Sequence, residues 1–234
     1  MKRVLLLPLF IALFWACSHT RDAGQTKDTR SSSDTVLLIS AINRNLTWMD
    51  EIPAHNMDKD SRYVTADRTL DMMVNLVNTY QMDLNRFEGL DRHESADSMI
   101  SFYSFHLNEF NTSCSCYSIL VWKPDEHLKA QKWTWQEHIQ SIFEIDPEKG
   151  LYLLLLSEKL SGCEYLNTAQ VIQLHSDTLN VEYPAFEGKS RLSIHNGAFT
   201  YDTREKTLII RDLLDDRGTL GFLKFNGIAF QSGN

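Results

Sequence analysis

What this chain lacks narrows its chemistry first. It carries no Gly-x-Ser-x-Gly elbow, no His-Glu-x-x-His pair, no phosphate-cradling glycine loop and no dinucleotide fingerprint. The common nucleophilic, zinc-protease, nucleotide and redox-cofactor chemistries therefore have no motif here, and no cofactor is expected. No basic run occurs anywhere, and Asp plus Glu number 31 against 23 Lys plus Arg. A phosphate backbone is held by clustered cations that displace counterions, so nucleic acid is excluded as a partner. Beyond the first seventeen residues the longest apolar stretch is Leu151–Leu156, far short of the roughly 20 residues that cross a bilayer as a helix. Cysteine is scarce, 4 in 234 residues, but a chain of this length buries a core without disulfide staples.

What the chain has is most distinctive at its start. Lys2 and Arg3 precede the apolar run Val4–Trp15, and Ala16-Cys17 follows. A charged start, an apolar segment too short to span and a small residue before the cut describe an export signal. Leu13-Phe14-Trp15-Ala16-Cys17 resembles the bacterial lipobox, with Trp15 where that family uses a small side chain. The resemblance implies cleavage ahead of Cys17, a diacylglyceryl thioether on its sulfur and an acylated amino group. Several acyl chains, at about 0.8 kcal/mol per buried methylene, anchor stably where one would not. Ser18 in the position after the cysteine implies the outer membrane, facing the periplasm. Loss of the signal, residues 1–16, removes Lys2 and Arg3 and moves the net charge from −8 to −10.

Residues 17–34 follow as the lipidated cysteine and a polar tether ending in Ser31-Ser32-Ser33-Asp34, with a reach of about 20–25 Å. Residues 35–234 read as a single α+β domain, helical over 35–90 and β-rich over 98–232. The pattern predicts a short helix over 35–46 capped by Asp34, with a strand over 36–39 as its alternative. A longer helix is predicted over 66–88, capped by Thr65, stopped by Gly89 and striped by Leu70, Met73, Leu76, Val77, Tyr80, Leu84 and Phe87. From residue 98 onward, alternating runs predict strands over 99–107, 115–122, 139–145, 151–157, 169–174, 178–183, 191–195, 199–202, 207–211, 219–225 and 228–230. Asn196-Gly197 and Asn226-Gly227 read as two-residue type I′ turns with positive φ at both positions. The expected fold is N-terminal amphipathic helices packed on an antiparallel β-meander sheet.

This layout resembles a group of Gram-negative envelope lipoproteins. The likeness rests on the lipobox, the tether, the long helix, Asp97-Ser98-Met99-Ile100-Ser101-Phe102-Tyr103-Ser104 and the closing Leu223-Lys224-Phe225-Asn226-Gly227-Ile228-Ala229-Phe230. It implies an envelope location and supplies no catalytic residues.

Two side-chain groups are candidates for a role. Trp133 and Trp135 share one face of an extended segment, and Trp122 joins them as a candidate glycan platform; the alternative is that all three fill a sheet core. Cys114, Cys116 and Cys163 admit three readings. One of the first two pairs with Cys163 in an oxidising compartment; three thiolates and a histidine such as His106 hold zinc; or all are buried thiols, the favoured account. His93-Glu94 opens like a zincin helix but continues Ser95-Ala96-Asp97, and the 8 histidines show no ligand spacing, so no metal is expected. The functional expectation is a lipid-anchored, non-enzymatic binding or structural module contacting the membrane and an envelope protein. A glycan-binding or glycan-cleaving lipoprotein is the alternative. Replacement of Cys17 by Ser is expected to move the protein from the detergent phase to the aqueous phase of a two-phase extraction; an unchanged partition contradicts the lipid anchor.

Overall fold

The computed structural model describes residues 29–51, 59–108, 114–161, 164–175, 177–212 and 218–232. Cys17 and Cys163 lie outside them. Two helices, α1 (Thr29–Glu51) and α2 (Lys59–Tyr80), are followed by β1 (Asp91–Glu94), β2 (Ile100–Asn108), β3 (Cys114–Trp122), β4 (Lys129–Trp133), β5 (His138–Asp146) and β6 (Leu151–Ser161). The remaining strands are β7 (Glu164–His175), β8 (Thr178–Asn180), β9 (Arg191–His195), β10 (Gly197–Asp202), β11 (Thr207–Asp212), β12 (Thr219–Phe225) and β13 (Phe230–Ser232). The fold is mixed α+β, but the strands make three antiparallel sheets rather than one meander. Their orders are β1-β2-β3-β4, β5-β6-β7-β8 with β9 also on β7, and β10-β11-β12-β13.

Side-chain alternation stacks these elements in layers. On β2, Tyr103, Phe105 and Leu107 join Leu70, Met73, Leu76 and Val77 of α2 and Ile42 of α1 in one core. Ile100 and Phe102, on the opposite face of β2, join Leu120, Trp122, Ile142, Leu154 and Leu156 in a second core between the first two sheets. A third core holds Leu153 and Leu155 of β6 with Phe199, Tyr201, Leu208 and Phe225 of the last sheet. The run Leu151–Leu156 is continuously apolar because β6 lies in the middle layer, with both faces covered.

Several boundaries differ from the periodicity. The helix α1 begins at Thr29, so the end of the expected tether is helical. In α2 the predicted cap Thr65 sits in the interior, its hydroxyl bonded to the Ser61 carbonyl at 2.8 Å. The chain leaves α2 at Gln81, where φ is +54°, rather than at Gly89. Gln81 closes the helix by gripping both backbone groups of Leu128: its Oε1 accepts from the amide at 2.7 Å and its Nε2 donates to the carbonyl at 3.0 Å. Leu84 and Phe87 reach the same core from a following 3-10 turn.

The two Asn-Gly dipeptides are not equivalent turns. Asn196 alone is left-handed in the first, at φ +51°, and it carries the chain from the second sheet into the third. In the second only Gly227 is left-handed, φ +92°, within a loop closed by the Asn226 amide on the Ala229 carbonyl. Both β1 and β4 fall outside the predicted strands.

The connection from β5 to β6 depends on Gly150. Its φ is +60°, and a Cβ there would stand 2.2 Å from the Leu174 carbonyl oxygen. Gly150→Ala is therefore expected to destabilise the protein by roughly 1–3 kcal/mol, measured as a lowered urea midpoint. An unchanged midpoint contradicts that close approach.

Candidate metal centre

The antiparallel register places His106 of β2 directly opposite Cys116 of β3. Directly opposed residues project from the same face, with Cβ atoms about 4.5–5.5 Å apart. That face turns away from the helices and toward the second sheet, as Phe102 and Leu120 on the same two strands demonstrate. His138, the first residue of β5, brings an imidazole to this pair from the second sheet. One donor atom from each of His106, Cys116 and His138 lies within 4.8 Å of the other two, and among the described residues no other His, Cys, Asp or Glu group of this kind occurs. The thiol is buried, while both imidazoles are half-buried.

Two residues of the edge strand β1 complete the surroundings. Asp91 Oδ2 lies 3.2 Å from His106 Nε2 and holds the ring. His93 stands edge-on to His138 with ring centres 5.4 Å apart; the centres of His106 and His138 are 5.3 Å apart. Burial lowers the pKa of His138 below the ordinary histidine value; His106 and His93 add to that lowering, and Asp91 opposes it. His93 is lowered by the same desolvation, again against Asp91. A half-buried imidazole held neutral presents a lone pair, which is the form that binds metal. His138 Nδ1 is buried with no hydrogen-bond partner among the described residues.

His138 is positioned by its own neighbour. Glu137 is 3% exposed and its carboxylate takes both oxygens to the Arg191 guanidinium of β9. Arg191 in turn lies over the Trp135 ring, 4.6 Å from its centre. This unit ties the segment entering β5 to the far edge of the second sheet. A cavity of about 430 Å³ borders the group at His106 alone and is otherwise lined by Asp50, Glu51, Glu88, Gly89 and Phe105. Its three carboxylates give it a negative potential that favours cations.

The residues singled out in the sequence are distributed unevenly about this site. Trp122 and Trp133 are 7% and 4% exposed and belong to the core between the first two sheets. Trp135 is half-buried, packed against Trp133 at 4.7 Å and covered by Arg191. Buried indoles present no flat face to a sugar. Of the cysteines, Cys116 joins the cluster, Cys114 is described only as backbone opposite Asn108, and Cys163 falls outside the described residues. His93 and His138 received no role from spacing, because their partners lie on other strands and one lies on another sheet.

Two imidazole nitrogens and a sulfur form a donor set for zinc or copper rather than for calcium or magnesium, which take oxygen. An alternative acidic site lies elsewhere, where Asp97, Glu144 and Tyr152 line a cavity of about 370 Å³. Its Asp97 is already engaged, accepting from Ser95 Oγ at 2.6 Å, the Met99 amide at 3.1 Å and the Tyr152 hydroxyl at 2.6 Å. No family model, curated protein or solved structure matches the chain.

Arg191→Met is expected to destabilise the domain by about 3 kcal/mol, because it strands the Glu137 carboxylate in the interior. The double change with Glu137→Gln is expected to recover most of that loss in a denaturation series. Equal losses in the single and double variants contradict a buried ion pair.

Proposed function

We propose that this protein is an exported, lipid-anchored envelope protein whose folded domain binds one zinc- or copper-class ion through His106, Cys116 and His138. The observation that carries the reading is the convergence of three nitrogen and sulfur donors within 4.8 Å from three strands in two sheets. Each donor is held by something other than an ion. The register fixes His106 against Cys116, Asp91 orients His106, and the Glu137–Arg191 pair fixes the backbone beside His138. A ligand histidine whose second nitrogen meets a carboxylate is the usual arrangement around bound metal.

The anchor reading draws its support from the pattern over Met1–Cys17. Among the described residues no helix is long and apolar enough to cross a membrane. The helical layer follows the tether, and the acidic cavity beside α1 faces outward between the end of that helix and β2. We read the module as binding an ion rather than a glycan, because Trp122 and Trp133 lie in the core between the first two sheets.

Mature, detergent-solubilised protein loaded with cobalt(II) or zinc is expected to retain one ion per chain. The cobalt form is expected to show a thiolate charge-transfer band. Cys116→Ser is expected to abolish that band and His138→Ala to weaken binding roughly 100-fold or more, while replacement of the exposed His127 leaves both unchanged. Retention of no ion, or equal affinity in Cys116→Ser, contradicts the assignment.

A further inference from the structure

We propose that the ion held by His106, Cys116 and His138 keeps a fourth, exchangeable position, taken by water or a small monodentate anion that accepts hydrogen bonds from Ser104 and Trp133. This inference rests on the metal reading above and adds the chemical class of the ligand that reaches the ion. Zinc-class ions in proteins are four-coordinate: structural sites fill all four positions with side chains, whereas sites with three protein ligands leave the fourth to water or substrate. Among the described residues the donor group has three members. Asp91 does not supply the fourth, because its carboxylate is turned to His106 Nε2 and its side chain is 58% exposed.

One same-face step along the hairpin from the His106–Cys116 pair stands a row of buried polar residues, two of which lack partners among the described residues. Ser104 shares the inward face of β2 with His106, two residues away, and Ser118 shares that of β3 with Cys116. Ser104 and Ser118 are themselves directly opposed, and Trp133 of β4 stands opposite Ser118. Both serines are fully buried, and Trp133 is 4% exposed. Ser118 Oγ lies 3.5 Å from Cys116 Sγ, but Ser104 Oγ and Trp133 Nε1 have no hydrogen-bond partner among the described residues.

An indole N–H can only donate, and a buried donor without an acceptor is strongly disfavoured. The group that satisfies it must accept, as a water oxygen, a hydroxide or a small anion does. Same-face neighbours along a strand are about 6.7 Å apart. A metal–ligand bond of about 2.1 Å and a hydrogen bond of about 2.8 Å together span about 5 Å, so the bridge to Ser104 requires the ion to sit on the Ser104 side of the His106–Cys116 pair. The outcome is an open Lewis-acid position beside a buried polar row, distinct from a closed structural site.

The test is an azide titration of the cobalt(II)-loaded, full-length mature protein. The wild-type cobalt bands are expected to shift and saturate as azide displaces water. Ser104→Ala is expected to bind cobalt with unchanged stoichiometry and to lose azide affinity by roughly tenfold. Trp133→Phe, which keeps the ring and removes the N–H, is expected to lose azide affinity in the same direction and serves as the second variant. Cobalt bands that azide leaves unmoved overturn the open position while sparing ion binding. Azide affinity equal to wild type in both variants overturns the role assigned to that row. A wild-type protein with no thiolate–cobalt band overturns the metal reading itself, and this outcome is distinguishable from the other two.

Discussion

The register between β2 and β3 is the constraint on which the rest depends. Nine consecutive pairs, from Ile100 opposite Trp122 to Asn108 opposite Cys114, share one offset. A slip of one residue would turn every side chain on the moved strand to the other face. Cys116 and Ser118 would then face the helices, and Ile119 and Val121 would be driven into the gap between the sheets. The apolar cores on both faces of this hairpin oppose that slip. Burial of large side chains on either side thus specifies where a small polar group sits, although His106, Cys116, Ser104 and Ser118 contribute little apolar burial of their own.

Polarity inside a sandwich has to be justified by partners, because an unpaired buried donor or acceptor is disfavoured by about 1–3 kcal/mol. Most of this protein obeys that rule. Glu137 has Arg191 and Thr168 meets Ser193 at 2.9 Å, whereas Gln170 is satisfied only at Nε2, which donates to the Val181 carbonyl at 2.8 Å. Among the described residues, the exceptions include His138 Nδ1 on a member of the group of converging nitrogen and sulfur donors, and Ser104 Oγ and Trp133 Nε1 in the adjacent register row. The neutral state favoured by desolvation at His138 and His93 belongs to the same picture. Protonated imidazoles this close would repel one another, whereas neutral ones can share a cation with a thiolate.

Much of the architecture was legible in the sequence, because burial leaves a repeating trace. Leu70, Met73, Leu76 and Val77 repeat at helical spacing and do form the buried stripe of α2. Eleven strand segments were visible as alternating or continuous apolar runs, since each has at least one covered face. β1 was not visible: Asp91-Arg92-His93-Glu94 is an edge strand with hardly any burial and hence no alternation to read. It supplies Asp91 and His93 to the site. His106 and Cys116 are ten positions apart and meet only through pairing, so a reading by ligand spacing separates them; one correctly placed pair in the hairpin would have joined them. His138 arrives from a different sheet, which no local pattern encodes. Asn196-Gly197 and Asn226-Gly227 look alike in sequence, yet only at Gly197 would a Cβ meet backbone closely, standing 2.9 Å from the Arg211 carbonyl oxygen.

One of the three donors, His106, lines a cavity whose walls also carry the carboxylates of Asp50, Glu51 and Glu88. The most direct test of the central claim is X-ray absorption at the zinc edge of the metal-loaded protein. The account requires one sulfur at about 2.3 Å and two imidazole nitrogens at about 2.0–2.1 Å, with a fourth light atom in the first shell. A shell composed of nitrogen and oxygen alone, without sulfur, would contradict it.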